Sequence, residues 1–148
     1  MRAGDLATAF PTVGTDTAAV QAARLLAAQN LPGLIVVDAR GRPLTILAGT
    51  QVLRMAVPRY IQDDPALARV VDEAAADVFL DELGTRSVAE VLPEQPRELP
   101  VVDADATVLE IAALMARTRT PLVAVVGDDG ALLGAVTLDA LLDRLVAS

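Results

Sequence analysis

The sequence contains no cysteine and no histidine. Disulfides, thiol nucleophiles, serine–histidine triads, imidazole bases and Cys/His zinc sites are excluded together. Tryptophan is absent, and two Phe and one Tyr are the only aromatic residues, too few for a base-stacking platform. Lysine is missing as well: all twelve basic residues are Arg, which reads as genomic base bias rather than chemistry. Twenty acidic residues outweigh them and leave a net charge of −8. That is the wrong sign for tracking phosphates, so no nucleic acid is expected as a partner. Long apolar runs are lacking too, although 53% of the residues are hydrophobic. The longest candidate, 31–38, is interrupted by Pro32 and Gly33 and closed by Asp38. It falls far short of the roughly 18–20 residues that span a bilayer. No basic start leads into an apolar stretch, so no signal peptide is readable. The expectation is a cytoplasmic protein without direct membrane insertion.

What the sequence does contain is a repeat. Adding 89 to each number in Pro11–Leu53 lands on Pro100–Leu142 without a gap. Identities fall at Val13/Val102, Asp16/Asp105, Ala23/Ala112, Leu25/Leu114, Pro32/Pro121, Val36/Val125 and Gly41/Gly130, among others. Paired Ala or Val can arise from composition. Paired Pro and Gly, which punctuate backbone shape, argue for a true repeat.

Each copy reads as β-α-β-β-α. A short extended piece ends at Val13 or Val102, and Asp16 or Asp105 stands where a helix N-cap would accept backbone N–H groups. In the second copy Thr107 and Glu110 offer a capping box two residues later. The helix that follows carries an apolar stripe, Val20, Ala23 and Ala27 or Leu109, Ala112 and Ala116. After Pro32 and Pro121 come strands too apolar for a half-exposed edge. Hairpin turns with Gly41 and Gly130 lead to a second strand, then to a final helix over Gln51 to about Arg54 or beyond, and Asp139–Val146.

Between the copies, Asp64-Pro65 reads as a helix start. Leu67, Val70, Val71, Ala74 and Val78 form its expected buried face, and Gly84 its stop. A short helix is expected from Ser87, with Glu90 completing a capping box, as far as Pro93.

This pattern resembles a tandem pair of cystathionine-β-synthase-type (CBS) domains forming one Bateman module. The resemblance rests on the second copy's "TVLEIAALMARTRTPLVAVVGDDGALLGAVTLDALL", including Gly134 and Thr137 of a G-x-x-T signature. It implies an α/β (α+β) fold of two repeats related by a pseudo-twofold axis with a helical connector. The first repeat takes residues 1–61, the amphipathic connector 62–86 and the second repeat 87–148. It further implies a freestanding regulatory module, a sensor rather than an enzyme, with no required cofactor and no metal. Its regulatory ligand would be adenosine-containing (AMP, ADP, ATP or S-adenosylmethionine), bound between the repeats. Homodimerisation and a regulated enzyme or transporter are the partners that follow. The alternative is an interaction and dimerisation module whose clefts have lost nucleotide binding.

The family's signature, G-x-x-T-x-x-D, has a Thr hydroxyl approaching phosphate or ribose and an Asp accepting the ribose hydroxyls. The second copy keeps Gly134 and Thr137 but has Ala140 at the acid position, with Asp139 one residue early and about 100° away on a helix. The first copy has Ala48 and Gln51 at the Thr and Asp positions, with the Thr50 hydroxyl next door. Arg119 and Thr120, before Pro121, are the phosphate candidates, Arg for its bidentate geometry. Thr12 and Val13, with Val101 and Val102, offer backbone groups to a base. Asp128-Asp129 reads as a turn former without calcium-loop spacing.

Overall fold

A computed structural model describes residues 1–29, 31, 33–57, 59–70, 77–78, 81 and 83–147. The expectations for Pro32, Val71 and Ala74 lie outside the described residues, as does the side chain of Val70. The fold is mixed α and β, with β-α-β-β-α running twice. The first copy holds β1 (Thr12–Gly14), α2 (Ala19–Gln29), β2 (Gly33–Val37), β3 (Pro43–Ala48) and α3 (Gly49–Ala56). The second holds β4 (Val101–Asp103), α6 (Val108–Thr118), β5 (Leu122–Val126), β6 (Leu132–Thr137) and α7 (Leu138–Val146). Outside the copies lie α1 (Ala3–Leu6), α4 (Arg59–Asp63), a 3-10 helix (Pro65–Val70) and α5 (Val88–Val91).

Each copy builds a three-stranded sheet with its middle strand second in chain order, β1-β2-β3 and β4-β5-β6. In the second sheet β4 runs parallel to β5, with Val102 opposite Val125, and β5 runs antiparallel to β6, with Ala124 opposite Ala135. The two hairpin glycines adopt the expected positive φ, +79° at Gly41 and +83° at Gly130. Asp38 braces the first turn by accepting the Arg40 and Arg42 N–H groups on Oδ1. The Arg42 N–H is the main reason its carboxyl titrates below the ordinary value.

Contacts sort the chain into two compact units, and neither is a single repeat. The first gathers 1–12, 35–46 and 97–148, and the second gathers 13–34 and 47–96. The core of the first unit explains why β5 reads as a continuous apolar run. Val123 and Val125 pack with Ile111, Met115, Val136 and Leu141. Leu122 and Ala124, on the opposite face of the same strand, pack with Ile35, Ile46, Leu99 and Ala135. A strand covered on both faces has no place for a polar side chain.

The short leading helices dock by backbone hydrogen bonds. In the first unit Ala3 N–H donates to Ala106 O (2.8 Å) and Gly4 N–H to Ala104 O (2.9 Å). In the second, Val88 N–H donates to Thr17 O (2.8 Å) and Ala89 N–H to Thr15 O (2.9 Å). The acceptors are equivalent under the 89-residue shift, whereas the donors differ by 85 (88 − 3). Helix α1, which leads the first repeat, therefore docks on the second, and α5, which leads the second, docks on the first. Sequence reading missed α1 because four extra residues separate α5 from its repeat and break the ungapped register.

Several expectations require correction. Helix α6 is capped by Thr107, whose Oγ1 accepts Glu110 N–H at 3.1 Å, not by Asp105. Helix α2 begins at Ala19, three residues past Asp16, with its first N–H bonded to Arg86 O. Helix α7 begins at Leu138 rather than Asp139, and α3 spans Gly49–Ala56 rather than starting at Gln51. The stripe Leu109, Ala112, Ala116 is not the buried one: Ile111 and Met115 enter the core while Leu109 is 79% exposed. In α2, likewise, Ala19 and Ala22 are buried and Ala27 is exposed. Both helices are apolar on more than one side, so periodicity did not pick the inner face. The connector starts as a 3-10 helix, and Leu67 and Val78 of its expected buried face are exposed. Helix α5 forms as expected, with Ser87 and Glu90 capping each other.

Candidate functional site

The signature residues of the second repeat sit where β6 passes into α7. Thr137 is the N-cap, and its Oγ1 accepts Ala140 N–H at 3.1 Å. One lone pair of the hydroxyl is committed to the helix, and its proton has no partner among the described residues. The neighbouring Leu138 N–H donates to Pro121 O at 2.9 Å, which ties the signature to the residue before β5. Asp139, in the first turn of α7, is exposed.

Gly134 is explained by packing. A Cβ there would lie 2.7 Å from the Thr8 carbonyl oxygen. Thr8 and Ala135 exchange backbone hydrogen bonds, both at 3.0 Å, so the bare glycine lets residues 7–8 lie against β6. The first repeat solves the equivalent contact differently. Thr45 (134 − 89) is 2% exposed and its Oγ1 donates to Arg97 O at 2.6 Å. Arg97 is the equivalent of Thr8 (97 − 89). A side-chain bond has replaced a backbone pair.

In the second unit, the start of α3 carries the first repeat's signature positions. Ala48 cannot cap, and Gln51 Oε1 accepts the Ala48 N–H at 2.6 Å instead. Because that oxygen must face the donor, Nε2 is the end left without a partner among the described residues. Gln51 is half-buried and Thr50 is exposed.

The phosphate candidates separate in character. Arg119 ends α6 in the left-handed region (φ 55°, ψ 37°) and is exposed, with no bonded partner among the described residues. Thr120 is 6% exposed and turned inward. Thr118 Oγ1 donates to Leu114 O at 2.7 Å, so the 2.8 Å contact between the two hydroxyls is Thr120 donating to Thr118. The Leu122 carbonyl, 3.2 Å away, shares that proton. Arg119, Thr120 and Pro121 line a groove of about 420 Å³ with Met115, Leu138, Leu142 and Leu145. Thr12 and Gly134 instead line a smaller pocket of about 270 Å³ with Phe10, Val37 and Gly41. Val13 and Val102 are buried, Val101 is 45% exposed, and Val102 is in register with Val125. The candidates thus fall into separate places rather than one.

Sequence reading missed Phe10, Thr45 and Thr118. Phe10 was visible as one of two Phe in the chain, next to a repeated Pro. Nothing local marks the threonines, whose partners are fixed by the fold. No group of three or more acidic side chains comes together to hold a metal among the described residues. Among them, too, no helix is long and apolar enough to cross a membrane.

The CBS-domain profile matches residues 88–147. A CBS domain-containing protein of unknown function from Kribbella flavida DSM 17836 is 53% identical; the match covers 100% of this chain and 99% of that one, with a TM-score of 0.90. The chain belongs to the CBS-domain family, and its two β-α-β-β-α copies make it a CBS pair. A CBS domain-containing protein of unknown function from Bacillus anthracis str. Ames Ancestor shares the fold at 14% identity (TM-score 0.75), over 100% of this chain and 94% of that one. CBSX2, solved in complex with AMP, shares it at 20% identity (TM-score 0.69), over 99% and 96%; CBSX2 is from Arabidopsis thaliana. Comparison with curated proteins returns no match.

Proposed function

We propose that this CBS pair is a regulatory sensor that binds an adenosine-containing ligand (AMP, ADP, ATP or S-adenosylmethionine) and passes the binding on to a partner protein. The observation that carries the reading is the Thr137 hydroxyl. Its oxygen caps α7, its proton is unspent, and it stands at the positive end of a helix dipole, where an anionic group is favoured. The AMP held by CBSX2, a protein of the same fold, supports the ligand class. No bond-making chemistry is assigned to the chain, and we place the protein in the cytoplasm. Calorimetric titration with the four ligands tests the proposal: one of them binds, and Thr137→Val weakens it about tenfold, the worth of one hydrogen bond to a charged group. No heat and no thermal shift with any ligand overturns it.

A second reading, assembly of two copies, rests on outward leucines. In α7 Leu138, Leu142 and Leu145 are 39%, 46% and 47% exposed beside the apolar groove. Leu53, the first-repeat equivalent of Leu142, is 59% exposed. Apolar side chains gathered on one helix favour association, and a homodimer is the expected state. Sedimentation of wild type and Leu142→Glu distinguishes dimer from monomer.

A further inference from the structure

We infer that the ligand is a nucleotide held through its phosphate and that neither repeat reads the ribose diol; this rests on the adenosine reading above. A vicinal diol is recognised by acceptors that take its two O–H protons, a carboxylate above all. At the start of α7 the side chain at the third helical position is Ala140, which has no polar atom, and Thr137 has its oxygen occupied by Ala140 N–H. What Thr137 presents is a proton. At the start of α3 the same third position is Gln51, and its one acceptor oxygen is held by Ala48 N–H at 2.6 Å. What Gln51 presents is the Nε2 amide, a donor only. Both repeats have used their acceptors to cap their own helices and turn donors outward. Donors suit phosphate oxygens and leave a diol unsatisfied. Asp139 is the remaining acid, one residue from the third position and turned about 100° around the helix.

The full chain is titrated with AMP, ADP and ATP, each against its 2′-deoxy counterpart, and with S-adenosylmethionine. The expected result is that each pair binds within about threefold, less than one well-made hydrogen bond to a charge. A tenfold preference for the ribonucleotide overturns the inference, leaves the adenosine reading standing and makes Asp139 the acceptor. Binding of S-adenosylmethionine alone overturns the phosphate assignment only. If nothing binds, the adenosine reading falls and takes this inference with it. Ala140→Asp supplies the missing acceptor and is expected to create a ribose preference of about tenfold. If Ala140→Asp binds both forms equally, the ligand is not seated at the start of α7 and the inference fails.

Discussion

Gln51 Oε1 lies 2.6 Å from the Ala48 amide nitrogen, and in the other repeat Thr137 Oγ1 lies 3.1 Å from the equivalent pair's far end, the Ala140 nitrogen. A full capping box has a side chain at each end. Each repeat keeps one half, and they are opposite halves. Gln51→Ala should therefore destabilise the chain by about 1 kcal/mol. Adding Ala48→Thr, which copies the Thr137 arrangement, should recover most of that loss in urea denaturation. If the double variant is no more stable than the single one, Gln51 does not act as the cap.

The Gly134 contact makes a second prediction. Gly134→Ala drives a Cβ into the Thr8 carbonyl, a backbone atom that cannot swing aside, and should cost about 1–3 kcal/mol. Thr45→Val leaves the Arg97 carbonyl without its partner and should cost about 1–3 kcal/mol. Equal stability of Gly134→Ala and wild type would show that residues 7–8 do not lie against β6.

Arg119 is the only non-glycine residue with positive φ among the described residues. A left-handed residue with a Cβ costs about 1–2 kcal/mol relative to glycine. Arg119→Gly is expected to raise the melting temperature. If the guanidinium also holds phosphate, nucleotide affinity falls in the same variant, so a gain in stability with a loss of affinity separates its two roles.

Glu90 accepts the Ser87 N–H at 3.2 Å, and this bond, with help from the Arg86 guanidinium, lowers its carboxyl below the ordinary value of 4.5. A depressed folded-state value means the stabilisation is complete above about pH 4.5 and is lost as pH falls through the lower, folded value. Acidification in that window should loosen α5 on the Thr15 and Thr17 carbonyls. Amide exchange of Val88 and Ala89 measures this, and Glu90→Gln should flatten the response. The exposed Arg86–Glu90 ion pair (3.2 Å) adds little by itself.

The repeat, its element order and its hairpins were legible because Pro121, Gly41 and Gly130 punctuate the backbone wherever the chain goes. The inner helix faces were not. In α6, Leu109 and Ile111 are both strongly apolar, and tertiary packing alone sends Ile111 inward. The acid-less signature was visible as Ala140 and Gln51, but its meaning was not, because hydrogen-bond direction at Gln51 depends on where Ala48 N–H points. Gly134 read as a ligand residue, and its neighbour Thr8 lies 126 positions away in the chain (134 − 8), beyond any local pattern.

The exchange of leading helices has a consequence for how the chain can be cut. A fragment beginning at Ser87 carries α5, whose docking groove stays behind on the first repeat, and leaves the Ala104 and Ala106 carbonyls uncovered. Two such fragments can satisfy one another by trading helices, each lending what the other lacks. The double-repeat chain is then the covalent record of a reciprocal exchange between two single-repeat halves, and its smallest independent ancestor is a pair.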